Sequence, residues 1–338
     1  HEVYFGTTTN PAFQGSQNGT TFDPGILSPA TTYYWAVDEV NATGTTTGPL
    51  WSFTTAATEP KLATVTLTGI GDSWTQVNLS ESYVSPVVVA SVVLPGSSTD
   101  PVVARVRNVG TDSFELRAQN PSGATSGTYD VHIVVVEAGV YTTAEHGLDL
   151  EAFTVVSTGT NSKNGWSNSQ MEQITPTLSF SNPVVLGQVM SANDSAWSVF
   201  WASDGNQGNP ASGSSIYVGK HVGEDSLTTR ADETLGVIIL ESGNGTLDGV
   251  NYTAGVGSDS VRGVRNGGPF GYSLGGLTTA SQAAISSAGM DGGDGGWPVL
   301  FGGSPLSFDT LNLAIDEDQI GDSERGHTAE QVGYLVFE

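Results

Sequence analysis

The sequence has 338 residues and is strongly acidic: 10 Lys and Arg oppose 35 Asp and Glu, which gives a formal net charge of −25. Nucleic acid and anionic membrane surfaces are therefore poor partners, because both are bound through clustered cations. The chain lacks the run of about 18 apolar residues that membrane insertion of a helix requires, and the absence of cysteine excludes disulfide and thiolate chemistry.

The composition predicts an all-β protein made of tandem antiparallel β-sandwiches. The chain contains 44 Gly and only 13% charged residues. It is also rich in Thr, Ser, Asn and Val, a mixture that suits short strands joined by tight turns. The negative charge favours solubility and repulsion between molecules in an aqueous setting, which we interpret as extracellular or at the cell surface.

The first 55 residues show the alternation of apolar and polar residues that is typical of strands. Three strand-like runs are separated by turns rich in Gly, Thr and Asn. The residues that share one face of these runs are Val3 and Phe5, then Tyr33, Trp35 and Val37, and finally Trp51 and Phe53.

The second run is preceded by the pattern L-x-P-x-T-x-Y, which ends at Tyr33. This pattern and the strands around it resemble the C-terminal half of a fibronectin type III domain, with a tyrosine corner at Tyr33. The resemblance implies that residues 2–5 form strand C and that residues 20–27 contain strand E. Strands A and B, which should precede Val3, are missing.

A partial sandwich over residues 1–55 leaves the inward faces of its strands without an opposing sheet. Each large apolar side chain left in water forfeits ~1.5–3 kcal/mol, and open strand edges invite pairing with other chains. Three explanations remain open: the sequence is cut from a longer protein, a neighbouring copy completes the sandwich, or the half-domain packs on its own chain. The candidate interface residues are Val3, Phe5, Trp35, Val37, Trp51 and Phe53.

Residues 56–60 read as a linker to three related units, predicted at 61–142, 150–245 and 250–338. Residues 216–241 align without gaps with residues 313–338, and the strand pattern of 85–110 is an earlier copy. Several acidic residues recur between the second and third units: Asp225 and Asp322, Glu233 and Glu330, Glu241 and Glu338. Strands that are apolar on both faces, such as "PVVVASVV", predict tight packing between the units.

The first unit carries Trp74 ahead of "TQVNLSESYVSPVVVASV", with "SFELRAQ" further along. This arrangement resembles the H-type lectin sandwich of six antiparallel strands. The resemblance implies binding of galactose-type sugars at subunit contacts. No sugar-contacting residue can be transferred to this chain, so its carbohydrate-binding residues stay unknown.

The segment 316–330, "DEDQIGDSERGHTAE", is the one candidate metal site. Read as a calcium loop, it places Asp316, Asp318 and Asp322 at ligand positions. Ile320 then occupies a further ligand position, and His327 stands where a bidentate Glu belongs. The alternative is a solvated acidic loop. Apart from this calcium ion, no cofactor is predicted.

Tryptophan side chains could serve as sugar-stacking platforms or as core residues, and the recurrence of Trp201 and Trp297 in two repeats favours the core. The residues concerned are Trp166, Trp197, Trp201 and Trp297. The chain contains no nucleophile elbow, P-loop, dinucleotide fingerprint or zinc-ligand spacing, so we predict that it is not an enzyme.

The leading hypothesis from sequence is a non-enzymatic extracellular structural protein that assembles head to tail into a fibre or surface layer. Its partners would be copies of itself, which complete the N-terminal sandwich. The alternative is a carbohydrate-binding tail of a secreted enzyme that degrades polysaccharide.

Overall fold

A computed structural model describes residues 1–25, 27, 31–55, 60–98, 100–125, 127–163 and 165–338. The protein is nearly all β, with 49% strand and 2% helix, which confirms the predicted fold class. It divides into two compact units, His1–Glu59 and Pro60–Glu338. No helix within the described ranges is long and apolar enough to cross a membrane.

The N-terminal unit is a single antiparallel sheet in the order β2–β1–β3–β5, and β4 forms a hairpin with the end of β3. Its strands are β1 Glu2–Gly6, β2 Ala12–Ser16, β3 Thr32–Asn41, β4 Gly44–Thr46 and β5 Trp51–Thr54.

The predicted E strand is wrong over the described part of residues 20–27, which contains no strand. The side chain of Asp23 accepts the N–H of Gly25 at 2.9 Å, and Gly25 has a φ of 76°. This local turn bends the chain where an extended backbone was expected. Pro29 of the tyrosine-corner pattern, and residues 56–59 of the predicted linker, lie outside the described residues.

The unit Pro60–Glu338 contains three sandwiches in succession. The first comprises β6 Leu62–Ile70, β7 Thr75–Asn78, β8 Pro86–Leu94, β9 Val103–Arg107, β10 Ser113–Gln119 and β11 Tyr129–Glu137. The second comprises β12 Gly139–Tyr141, α1 Thr143–His146, β13 Leu150–Ser157, a 3₁₀ turn Asn168–Gln170, β14 Glu172–Ile174, β15 Pro183–Val189, β16 Val199–Ser203, β17 Ile216–His221 and β18 Glu233–Glu241. The third comprises β19 Gly243–Leu247, β20 Val250–Val256, β21 Phe270–Ser273, β22 Gln282–Ala288, β23 Trp297–Phe301, β24 Leu306–Ser307, β25 Thr310–Asp316 and β26 Val332–Phe337.

The three sandwiches share one topology. Each has an inner sheet of three strands, in which the strand that comes last in the chain lies between the other two. The orders are β6–β11–β8, β13–β18–β15 and β20–β26–β22. Each also has an outer antiparallel sheet: β7–β10–β9, β14–β17–β16 and β21–β25–β23. In the second and third sandwiches, the apolar residues of the two sheets form a separate buried core.

A glutamate at the end of the last strand recurs in all three sandwiches. Its carboxylate accepts hydrogen bonds from backbone N–H groups in the turn that precedes β8, β15 or β22. The glutamate therefore closes the same edge of the inner sheet in each sandwich. The donors are Val84 and Ser85 for Glu137 (both 2.7 Å), Ser181 and Asn182 for Glu241 (2.7 and 2.8 Å) and Thr278 for Glu338 (2.6 Å).

The sandwiches close into a ring because the outer sheet of each one meets the inner sheet of another. We call each contact between two sandwiches a seam. In the seam between the third and first sandwiches, β23 pairs with β8 in parallel. In the seam between the second and third sandwiches, β16 pairs with β22 in parallel. In the remaining seam, Gln188 of β15 donates its amide N–H to the carbonyl of Ala104 in β9, at 3.2 Å. The predicted tight packing between units is therefore confirmed.

Residues of all three inner sheets line the centre of the ring. Ala90, Gly187 and Ser286 surround a cavity of about 50 Å³. A Cβ atom added at Gly187 would lie 2.4 Å from the ring of Phe200 and 2.6 Å from the carbonyl oxygen of Gly236. Glycine is required at this position because the neighbouring backbone leaves no space for a side chain.

We expect Gly187→Ala to lower the free energy of unfolding of the Pro60–Glu338 unit by about 1–3 kcal/mol, because the added methyl group overpacks the space between the two sheets of the second sandwich. Chemical denaturation measures the effect. Gly303→Ala is the matched control, since a Cβ there meets nothing within 4 Å. Equal stabilities of the two variants would contradict the close approach at Gly187.

Candidate functional site

The six predicted interface residues lie on one face of the N-terminal sheet. Directly opposed residues of antiparallel strands point to the same side of a sheet. The opposed pairs are Val3 with Val37, Phe5 with Trp35, Trp35 with Trp51, and Tyr33 with Phe53. The structure therefore assembles these residues, together with Tyr33, into one continuous apolar surface, which we call the aromatic face.

The rings of the aromatic face pack on each other and remain open to solvent on their outer side. Phe5 stacks on Tyr33 at 5.1 Å between ring centroids, and Trp35 stacks on Trp51 at 6.3 Å. Even so, Trp35 is 37% exposed and Trp51 is 56% exposed. The strand pairing thus preorganises the rings without burying them.

The aromatic face forms the floor of an open groove of about 530 Å³. Phe22 reaches into the groove from the loop after β2 and lies 5.8 Å from Phe5. At one end of the groove, the imidazole of His1 pairs with the carboxylate of Glu39 at 2.7 Å. Sequence reasoning missed Phe22, because a single aromatic residue inside a polar loop carries no periodic signal.

The calcium site at Asp316, Asp318 and Asp322 stays a prediction, and the structure gives the three carboxylates separate surroundings. Each carboxylate has its own partner: Arg325 donates to Asp316 at 2.6 Å, and backbone N–H groups of nearby residues donate to Asp318 and Asp322 at 2.9 Å. Asp316 is fully buried, whereas Asp322 is exposed. Across the described residues, no group of three or more His, Asp or Glu is arranged to hold a metal ion.

The same segment builds a buried charged network on the side of the third sandwich that faces the other two. Arg325 also donates to the carbonyl of Ser98 in the first sandwich at 3.2 Å, while Asp318 accepts the N–H of Glu224 in the second at 2.9 Å. Burial raises the pKa of Asp316 to about 6, although the charge of Arg325 opposes this shift. The network therefore joins the sandwiches.

His327 lies between two carboxylates in this network. Its Nδ1 contacts Glu317, and its Nε2 lies 2.8 Å from Glu330. Burial alone would lower the pKa of His327, but its hydrogen bonds to Glu317 and Glu330 and their negative charges outweigh burial and raise the pKa to about 9. Burial raises the pKa of Glu317 to about 7. His327 is thus a buried cation at neutral pH.

Three of the four candidate stacking tryptophans are core residues. Trp197, Trp201 and Trp297 are 2%, 1% and 5% exposed, as the repeat predicted. Trp197 packs on Trp297 at 5.4 Å across the seam between the second and third sandwiches. Trp166 is half-buried and packs on Trp201 at 5.1 Å.

Two open clefts occupy equivalent positions on successive seams. The cleft between the first and second sandwiches measures about 370 Å³ and is lined by residues 84–86, Thr154 and Thr234 among others. The cleft between the second and third measures about 570 Å³ and includes residues 181–183, which are equivalent to 84–86. In the third seam, a hydrogen bond of 2.7 Å from Gln282 to Thr66 crosses the corresponding place.

Comparison with known proteins gives one informative similarity. No family model matches the chain, and no solved structure matches it. The chain is similar to Halomucin of Haloquadratum walsbyi, with 29% identity over 279 residues that cover 77% of this chain. The matched region spans only 3% of the length of Halomucin.

We expect Asp316→Asn to destabilise the protein by roughly 3 kcal/mol at pH 7.5, because the variant leaves the buried guanidinium of Arg325 without a counter-charge. Asp322→Asn, which alters an exposed carboxylate, should change the stability by less than about 0.5 kcal/mol. Denaturant titration with and without added Ca²⁺ distinguishes this ion pair from a metal site. If Ca²⁺ stabilises the native protein and Asp316→Asn abolishes this effect, the result would support the calcium site.

The stability of the protein should fall as the pH rises from about 7 to 10. The pKa of His327 is about 9 in the folded protein against about 6.5 unfolded. Its stabilising contribution is therefore complete below the unfolded value and is lost as the pH passes the folded one. Glu317 acts in the same direction at lower pH, because its pKa is raised on folding to about 7 and its contribution is lost as the pH rises through that value.

Thermal unfolding of native protein and of His327→Gln over this pH range tests the assignment, and the variant should show the shallower decline. His132→Gln is the control, since burial lowers the pKa of His132 to about 4, outside the range examined. If the stability of His327→Gln falls with pH as steeply as that of the native protein, the assignment to His327 is refuted.

Proposed function

We propose that this chain is part of a non-enzymatic extracellular structural protein, and that the aromatic face of its N-terminal sheet binds a second copy of the chain. The observation that carries the proposal is a continuous row of stacked aromatic rings left open to solvent. The Pro60–Glu338 unit provides the rigid body that such contacts would connect.

The energy available from covering the aromatic face is large. Burial of one aromatic side chain of this size contributes about 1.5–3 kcal/mol, and Trp35, Trp51 and Phe53 are each more than a third exposed. Contiguous apolar surface of this kind is typical of interaction sites. In the described residues, the outer edge of β5 also has no strand partner, so its backbone groups are available for strand addition.

The proposed contact between two copies is heterologous. The aromatic face would meet a different surface of the neighbouring molecule, so the interaction would repeat and extend into a fibre or layer. The charge of −25 on each copy opposes association at low ionic strength. The Debye length falls from about 10 Å at 0.1 M salt to about 3 Å at 1 M, so salt should promote assembly.

Two further observations support an extracellular, non-enzymatic role. The similar protein is named Halomucin, and this name fits a protein of an extracellular surface. The cluster of carboxylates and histidine in segment 316–330 lies buried in the seams, where His327 is 5% exposed and Asp316 is 0% exposed. This placement suits a structural role for the cluster and offers no access to a substrate.

Multi-angle light scattering and electron microscopy of the full chain in 0.05 M and 1 M NaCl test the proposal. We expect extended assemblies in 1 M NaCl and at least about tenfold weaker association for Trp51→Ser, because that variant removes one large buried contact. Phe13→Ser is the matched control: Phe13 is 54% exposed, close to the 56% of Trp51, but pairs with Tyr4 on the opposite face.

The proposal fails if the native chain stays monomeric at both salt concentrations, or if Phe13→Ser and Trp51→Ser weaken assembly equally.

Carbohydrate binding is a second candidate function, which the two equivalent seam clefts favour. Residues Ser85, Thr154 and Thr234 contribute hydroxyl groups to the first cleft, and hydroxyl groups can both donate and accept hydrogen bonds with a sugar. The six-stranded antiparallel sandwiches also support the resemblance to H-type lectins. Retention of the monomeric chain by a neutral polysaccharide would favour this function over assembly.

A further inference from the structure

Three arginine side chains lie side by side on the outer sheet of the first sandwich. Arg105 and Arg107 are two residues apart on β9 and therefore share a face. Arg117 of β10 is directly opposite Arg105, so it lies on the same face. The whole chain has only 10 Lys and Arg, so the grouping concentrates positive charge at one place on an acidic molecule.

Each arginine of this group has at least one carboxylate near it. Glu115 accepts a hydrogen bond from Nε of Arg107 at 2.7 Å. Burial lowers the pKa of Arg117, and the charge of Arg107 lowers it further, against an opposing effect of Asp72. Burial lowers the pKa of Arg105 to about 10, and the charge of Arg117 adds to this effect. The arginines thus repel one another.

Asp194 and Glu233 of the second sandwich oppose that repulsion at Arg105. The guanidinium of Arg105 is fully buried and donates to the carbonyl of Ala196 at 2.7 Å. Arg105 is therefore buried in the seam between the first two sandwiches, whereas Arg107 and Arg117 are half-buried at the surface.

Trp74 holds the two surface arginines in place. Its ring lies 4.1 Å from the guanidinium carbon of Arg107 and 4.6 Å from that of Arg117. A stacked guanidinium presents its flat face to the ring, and its N–H donors lie in the guanidinium plane and stay available. Arg117 donates through Nη2 to Gln119 at 2.8 Å, and its buried Nε is out of reach of a ligand. The donors suited to a carboxylate or sulfate group of a ligand are therefore the remaining Nη groups.

Amide side chains extend the same face. Gln76 on β7 lies opposite Glu115, and Asn78 follows two residues later, so both are on the side of Arg117. Both are exposed. Amides donate and accept hydrogen bonds, which suits hydroxyl groups placed between anionic groups. A surface of this composition favours a sugar polymer over an acidic peptide, which has no hydroxyl groups at regular spacing.

We propose that the surface formed by Trp74, Arg107, Arg117, Gln76 and Asn78 binds an acidic polysaccharide through its carboxylate or sulfate groups. The arginines bind the anionic groups, and the amides bind the neighbouring hydroxyls. This binding does not depend on the assembly proposed above, because the surface belongs to the first sandwich and includes no residue of the aromatic face.

Isothermal titration calorimetry on the full chain tests the proposal, with polygalacturonate and dextran sulfate as acidic probes and neutral dextran and poly-glutamate as comparisons. The buffer contains 0.15 M NaCl, in which the Debye length of about 8 Å screens the distant acidic surface. We expect one or both acidic glycans to bind and neutral dextran not to bind.

Arg117→Gln should weaken this binding at least about tenfold, because a hydrogen-bonded charge pair is lost. Arg117→Lys should weaken it as well, because an ammonium group cannot replace the planar fork. Arg262→Gln is the matched control: it removes the same charge from an exposed arginine of the third sandwich and should leave the affinity within about twofold. Arg107→Gln provides an independent variant if Arg117→Gln unfolds, which circular dichroism monitors.

Three outcomes would overturn the proposal. Equal loss of affinity in Arg117→Gln and Arg262→Gln would mean non-specific attraction. Poly-glutamate binding as tightly as the acidic glycans would mean an acidic peptide partner. Failure of both acidic glycans to bind would mean that the arginine and tryptophan stack only stabilises the sheet.

Discussion

The packing of β8, β15 and β22 around the centre of the ring is the contact on which the rest of the Pro60–Glu338 unit depends. These strands are almost entirely buried on both faces, because one face belongs to its own sandwich and the other to a neighbour. Gly187 lets β15 lie close to Phe200 and Gly236 of its own sandwich. The parallel pairings of β23 with β8 and β16 with β22 then extend two of the sheets from one sandwich into the next.

The sequence predicted the repeated parts of this arrangement and missed the parts that depend on distant partners. The recurrence of Glu241 as Glu338 is visible in the sequence, and both carboxylates close the same edge of their sandwiches. The calcium prediction considered the spacing of carboxylates without Arg325, whose buried guanidinium pairs with Asp316. Ring closure was not predictable, since a parallel pairing between residues some 200 positions apart leaves no local pattern.

The placement of the cations shows how so acidic a chain remains compact. Arg105, Lys220 and Arg325 are each at most 1% exposed, and Arg105 and Arg325 donate hydrogen bonds across seams. Among the described residues, more carboxylates than cations are buried: Glu137, Glu151, Glu233, Asp316, Glu317, Asp318 and Glu330. The buried cations therefore offset negative charge inside the unit, while most of the 35 acidic residues stay outside it. Positive charge stabilises the interior contacts, and negative charge dominates the surface that meets solvent.

The ring has a consequence for how its sites can evolve. In a trimer of identical subunits, one amino-acid change appears in all three contacts at once. Here each seam is encoded separately, so a change such as Val to Gln at the position of Gln282 alters one contact and leaves the other two as they were. Because the three sandwiches are joined in one chain, their contacts need not be identical. Two seams can keep their clefts while the third is closed, and each cleft can acquire its own binding specificity.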